Sequence, residues 1–114
     1  MARRIGEWRA RLKLPLVAAP MFLISGPDLV LAACREGVIG TFPTPNARTV
    51  AELDEWLNRI VSGLGPDDAP WAANVVVHRS NARLDEDIDL LIRYSYTPPD
   101  PAAYHPASVY VVHA

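Results

Sequence analysis

Three short apolar runs alternate along the chain with three amphipathic stripes, and this alternation limits the fold more than any single residue does. Leu16, Val17, Ala18 and Ala19 form the first run, ended by Pro20, which reads as a strand buried on both faces of a parallel sheet. Ser25 then precedes Gly26, Pro27 and Asp28. The serine is placed to cap a helix, proline is tolerated in its first turn, and the aspartate meets the positive end of the helix dipole. That helix is expected to run to about Glu36, with Leu29, Ala32, Ala33 and Glu36 at helical spacing. Gly37 supplies the left-handed cap before a second strand begins at Val38-Ile39-Gly40-Thr41.

The second unit carries a T-x-x-E capping box, Thr49 and Glu52, ahead of an apolar stripe of Leu53, Trp56, Leu57, Ile60, Val61 and Leu64. A turn-rich loop from Gly63 to Pro70 leads into a third apolar strand, Trp71 to Val77, interrupted only by Asn74. A third helix is predicted from about Asn81 or Ala82, with Leu84, Ile88, Leu91 and Ile92 on one face. Asp85, Glu86, Asp87 and Asp89 crowd its N-terminal end and read as a solvated first turn rather than a cation site. Strand and helix alternating in this order imply right-handed crossovers and an α/β fold with a parallel sheet. From Ser95 the pattern stops, and residues 95–114 read as an irregular proline-rich tail in which only Val109 to Val112 has strand character. The folded region is therefore expected over residues 1–94.

Composition narrows the classes further. The chain has 114 residues, 50% hydrophobic and 21% charged, with a net charge of −2, which excludes disordered and collagenous classes and leaves room for one domain. A complete (β/α)8 barrel uses about 250 residues, more than twice this length. The single cysteine, Cys34, permits no internal disulfide and reads as a core residue; a cytoplasmic setting is expected. The longest apolar stretch, Leu14 to Ile24, holds two prolines and is about half a membrane span. No membrane or nucleic-acid partner is expected. Five of the eleven basic residues precede Leu14, where Ile5, Trp8 and Leu12 at helical spacing suggest a short amphipathic helix with a basic outer face.

Parallel α/β sheets bind ligands beyond the carboxyl ends of their strands, which directs attention to Pro20 to Ser25, Thr41 to Asn46 and Asn74 to Asn81. None of these segments contains a dinucleotide, P-loop, zinc or nucleophile-elbow motif. His78 follows the third strand and reads as a hydrogen-bonded loop residue; His105 and His113 lie in the tail without carboxylate or thiolate neighbours at ligand spacing, so no metal is expected. Asn74 is more informative. An amide in an apolar strand must find partners or cost about 1 to 3 kcal/mol, and near the strand end a ligand can provide them. Pro20 similarly ends the first strand and frees the amides that follow it to face whatever lies above the sheet.

Taken together, Leu14-Pro-Leu-Val-Ala-Ala-Pro-Met-Phe22, Ser25-Gly-Pro27, Gly37-Val-Ile-Gly-Thr-Phe-Pro43 and Trp71-Ala-Ala-Asn-Val75 resemble, in that order, the N-terminal part of the nitronate monooxygenase (2-nitropropane dioxygenase) family. The resemblance spans roughly residues 8 to 94. It implies the first three β/α units of a TIM-type barrel and an FMN-dependent oxidation of alkyl nitronates by molecular oxygen, releasing nitrite and a carbonyl compound. Flavin-dependent enoyl-reductases share the opening motif. Carried over residue by residue, Pro20, Met21 and Phe22 would lie against the isoalloxazine ring and Asn74 would hydrogen-bond it. The family's catalytic histidine and its glycine-rich phosphate loops belong to later barrel segments, so none of His78, His105 and His113 is assigned as the base.

The departure after Tyr94 reads as a frameshift or truncated gene, and the chain as an N-terminal fragment inactive alone. Losing three phosphate hydrogen bonds at about 1.5 to 3 kcal/mol each would remove roughly 4 to 9 kcal/mol, so tight FMN binding by this chain alone is not expected. Unpaired sheet edges predict self-association or a complementary chain. The alternatives are a non-enzymatic α/β interaction module and one half of a split flavoenzyme.

Overall fold

The computed structural model describes residues 9–95 and the backbone of residues 107–113. Four parallel strands lie in the order of the sequence: β1 (Val17–Ala18), β2 (Ile39–Pro43), β3 (Trp71–Val77) and β4 (Ala107–His113). Helices α1 (Pro27–Arg35), α2 (Val50–Gly63) and α3 (Leu84–Ser95) alternate with them, and a single 3-10 turn, Thr44–Asn46, follows β2. Residues 9–11 are also helical. The protein is thus a small α/β domain built from β/α units, and among the described residues no helix is long and apolar enough to cross a membrane.

The side chains of β3 divide between two faces because a strand alternates. Trp71, Ala73 and Val75 join Phe42 of β2 in one core with Val30, Leu31 and Cys34 of α1, Leu53, Leu57 and Ile60 of α2, and Leu90 and Leu91 of α3. All three helices therefore cover the same face. Ala72, Asn74 and Val76 point to the other, and the β2 register places Thr41 and Pro43 beside Ala72 and Asn74 there. Phe42 also meets the edge of Trp56, with ring centroids 5.8 Å apart.

Local chemistry sets the helix ends. Thr49 Oγ1 accepts the Glu52 amide and the Glu52 carboxylate accepts the amide of Arg48, one residue before the usual capping-box position. Gly37 adopts φ +86°, the left-handed value expected past a helix end. Gly40 lies so close to α1 that an added Cβ would sit 2.5 Å from the Val30 carbonyl oxygen; this approach brings α1 onto β2.

Several expectations need correction. Ser25 does not cap α1: its Oγ accepts the Met21 amide, and Gly26 occupies the cap position without a side-chain hydrogen bond. The buried face of α1 is Pro27, Val30, Leu31 and Cys34, while Leu29 is exposed. In α3 the inward positions are Asp87, Leu90 and Leu91, and Ile92 is exposed. The helix starts later than expected because Asn81 forms a turn of its own, accepting the Arg83 amide and donating to the Val76 carbonyl. Ser95 ends α3, and residues 107–113 are not irregular but pair with β3 over its full length, Trp71 opposite Ala107 through Val77 opposite His113. The β-branched residues of the segment 107–113 suit it to close the edge that β3 would otherwise expose. The basic helix expected around Ile5 and Trp8, the proline-rich segment 96–106 and His105 lie outside the described residues; Leu12 packs against the core.

Cys34 is fully buried, its Sγ directed at the Pro70 carbonyl, and burial pushes the thiol up to about 11. The folded state thus keeps the proton after the unfolded chain has lost it near the ordinary value of 9.0, so the group favours unfolding increasingly as pH rises between these values. Tyr94 is also raised, to about 12, by desolvation and then by its hydrogen bond to Asp54. Urea unfolding from pH 8 to 11 is expected to show falling stability, with a shallower fall in Cys34→Ala. Thiol titration of the native protein at pH 8 is expected to be slow and to become rapid on denaturation.

Candidate functional site at the strand carboxyl ends

β1 ends two residues before Pro20, and the chain then makes a tight loop whose side chains face outward. Met21 is 43% exposed, Phe22 62%, Leu23 63% and Ile24 69%. Four consecutive apolar residues are thus in solvent at the carboxyl end of a parallel sheet, on a segment with no charged residue from Leu14 to Pro27. Leu23 has φ +66°, a left-handed value that a branched, non-glycine residue adopts at a cost of about 1 to 2 kcal/mol.

The loop is held from beneath by Asn46, which is 9% exposed. Its Oδ1 accepts the Leu23 amide at 2.8 Å, and its Nδ2 donates to the carbonyls of Met21 at 3.0 Å and Ser25 at 2.8 Å. Within the loop, the Ser25 amide donates to the Met21 carbonyl and the Met21 amide to Ser25 Oγ. Asn46 itself is fixed by the 3-10 turn and by the next residue, because Arg83 Nη1 donates to the Ala47 carbonyl at 2.7 Å. Arg83 also grips Asp87 Oδ1 through Nε at 3.2 Å and Nη2 at 3.0 Å, with the carboxylate 2% exposed. Asp87 is therefore not part of a solvated helical turn, as its acidic neighbours suggested; its charge is buried and paired.

Asn74 lies on the face of the sheet away from the helices, in the middle of β3 rather than near its end as expected, and level with Pro43, the last residue of β2. It is half-buried, and its Oδ1 is shut off from solvent with no hydrogen-bond partner among the described residues. Thr44 Oγ1, at the exit of β2, is buried in the same unpaired state. Such atoms cost about 1 to 3 kcal/mol each; Thr44 sits at the carboxyl end of β2, where ligands bind in this class of fold, and Asn74 lies level with that end, three residues before the end of β3. Pro20 is half-buried at the root of the loop. The structure brings the Pro20–Phe22 loop onto Asn46, and sets Asn74 two strands away from β1, in the middle of β3 and level with the end of β2.

His78 is exposed, and its Nδ1 accepts the Ser80 amide and meets Ser80 Oγ at 2.7 Å, as expected of a hydrogen-bonded loop histidine. No group of three or more His, Cys, Asp or Glu among the described residues is arranged to hold a metal ion. A cavity of about 600 Å³ lies between α1 and α2, lined by Asp28, Leu31, Arg35, Asn58, Arg59 and Ser62, and shares no residue with the strand-end loops. Asp28 and Arg59 form an exposed ion pair across it.

Asn46 and Leu23 carried no signal of their own in the sequence: an asparagine after proline reads as a turn residue, and nothing in Phe-Leu-Ile announces a left-handed backbone. Burial separates the two ion pairs energetically. Asp87→Ala is expected to destabilise the protein by about 3 kcal/mol by leaving Arg83 unpaired, whereas Asp28→Ala is expected to cost less than about 1 kcal/mol, both measured by urea unfolding.

No protein-family model matches this chain, and a search of curated proteins finds none significantly similar to it.

Proposed function

We propose that the surface formed by Pro20, Met21, Phe22 and Asn74 receives the isoalloxazine ring of FMN, and that the chain contributes it to a nitronate monooxygenase-like flavoprotein of TIM-barrel type. The observation that carries this reading is Asn74 Oδ1 in the middle of β3, level with the end of β2, which is buried and has no hydrogen-bond partner among the described residues. A carbonyl oxygen in that state needs an N–H donor, and the flavin ring has one on its pyrimidine edge. The exposed, uncharged loop of Met21 and Phe22 suits the flat apolar part of the same ring. Consecutive strand order with every helix on one face supports the barrel, since this is how a singly wound β/α barrel begins.

Bound FMN would supply the oxidation of an alkyl nitronate by molecular oxygen to nitrite and a carbonyl compound. The residues of this chain would orient the ring: Asn74 through one hydrogen bond at its edge, Met21 and Phe22 by covering one side and excluding water from it. His78 is engaged with Ser80 and is given no part in proton transfer. In the resemblance the phosphate contacts and the base histidine come from later barrel segments.

Flavin fluorescence titration tests this directly. FMN and riboflavin are expected to bind the chain with similar, modest affinity, because the contacts are to the ring. Asn74→Leu is expected to weaken both by about 5- to 30-fold, equivalent to one hydrogen bond of about 1 to 2 kcal/mol. Absence of binding by either flavin up to millimolar concentration overturns the reading.

Among the described residues no strand pairs with the outer edge of β1, and Leu14, Leu16 and Val17 beside it are each more than half exposed. This supports association with a second copy or a complementary chain. Sizing chromatography is expected to show a species larger than the 12.5 kDa chain, reduced by Leu16→Lys; a monomer with a cooperative melt overturns the association.

A further inference from the structure

We infer that Asn46 is the positioning residue of the ring-binding surface, the group that holds the Met21–Ile24 loop in its ligand-ready shape before any ligand arrives. The inference rests on the flavin reading for the identity of the ligand, a planar heteroaromatic ring, and on the structure for the loop. Asn46 spends all of its described hydrogen bonds on the loop, one accepted from Leu23 and two donated to Met21 and Ser25. None of the three goes to the outward surface, so Asn46 acts through the loop and not by touching the ring.

The three bonds are matched to what the loop needs. Leu23 would leave its left-handed backbone for an ordinary one if its amide were released, and that rotation would swing Phe22 and Ile24 relative to one another. The two carbonyl contacts fix the start and the end of the turn, so one carboxamide spans the whole segment. Holding four large apolar side chains in water without this support would let them fold back onto one another; with it, they stay apart as a preformed platform, and less ordering entropy is lost when a ring lands on it. The Arg83 contact to Ala47, itself set by Asp87, keeps the carboxamide in place from the opposite side.

Aspartate at position 46 separates the two halves of this device, because it can still accept the Leu23 amide but cannot donate to the Met21 and Ser25 carbonyls. Alanine removes both. The test is amide hydrogen exchange on the unliganded full chain, read at Leu23 and across Trp71–Val77, together with riboflavin titration, for wild type, N46D and N46A. Leu23 is expected to exchange at least tenfold slower in wild type than in N46A, with N46D close to wild type at this amide, while the β3 amides are unchanged in all three. Riboflavin affinity is expected to fall about tenfold in N46A and severalfold in N46D. Should N46A fail to fold, N46D alone decides: unchanged riboflavin affinity overturns the inference and a severalfold loss supports it. Equal exchange at Leu23 in wild type and a folded N46A overturns it whatever the flavin does. A wild type that binds no riboflavin but loses Leu23 protection in N46A overturns the flavin reading and supports the hold of Asn46 on the loop.

Discussion

β3 exchanges backbone hydrogen bonds with β2 along one edge and β4 along the other, and its alternate side chains serve two different surfaces. Trp71, Ala73 and Val75 enter the core against all three helices; Ala72, Asn74 and Val76 form the opposite face. Because a one-residue slip would exchange these sets, burying Asn74 among leucines and turning Trp71 outward, the register of this strand is specified by every layer at once. β2 must then present Phe42 inward and Thr41 outward, and the loops after both strands arrive at one end of the sheet. The placement of the candidate site is a consequence of that register.

Most of the architecture was legible because it is written in periodicity. The bounds of β3 followed from an apolar run between turn-rich segments, and α2 from its Thr49–Glu52 box and the stripe through Leu53, Leu57 and Ile60. Where a stripe had two plausible centres, the sequence was ambiguous: Leu29 and Ile92 fit helical spacing as well as Val30 and Leu90 do, and only the direction of packing against β2 and β3 separates them. The acidic run in α3 misled for a related reason. Its composition is that of a solvated turn, and the burial of Asp87 depends on Arg83 reaching it from the preceding turn while also meeting Ala47, 36 residues away in sequence. The pair itself is at i, i+4 spacing, but the contact with Ala47 that draws Arg83 inward leaves no local pattern.

The site was legible to about the same depth. Asn74 stood out because a polar residue in an apolar strand is locally inconsistent, and such inconsistencies mark functional positions more often than ordinary ones. The apolar run from Met21 to Ile24 is the opposite case: hydrophobic residues normally signal interior, and here all four are in solvent, their backbone held by a buried asparagine from another loop. The physical logic of the site is therefore shared between a strand that is rigid and a loop that is strained and supported.

β1 contains two residues and, among the described residues, has one neighbouring strand. The contacts that join the segment from residue 9 to Ile24 to the remainder include the Arg11 guanidinium on the Asp68 carbonyl, the Lys13 amide on Gly37, the Leu16 carbonyl on the Ile39 amide, Thr41 on the Ala18 carbonyl, and Asn46 on the loop. With Leu12 its member of the main core among the described residues, the segment has the low apolar burial of units that open locally. Where a segment opens in this way, access to the surface it carries follows a local equilibrium rather than the global one. A ligand seated on such a surface would raise the stability of that segment first and reach the global transition only when the local and global opening free energies have become equal.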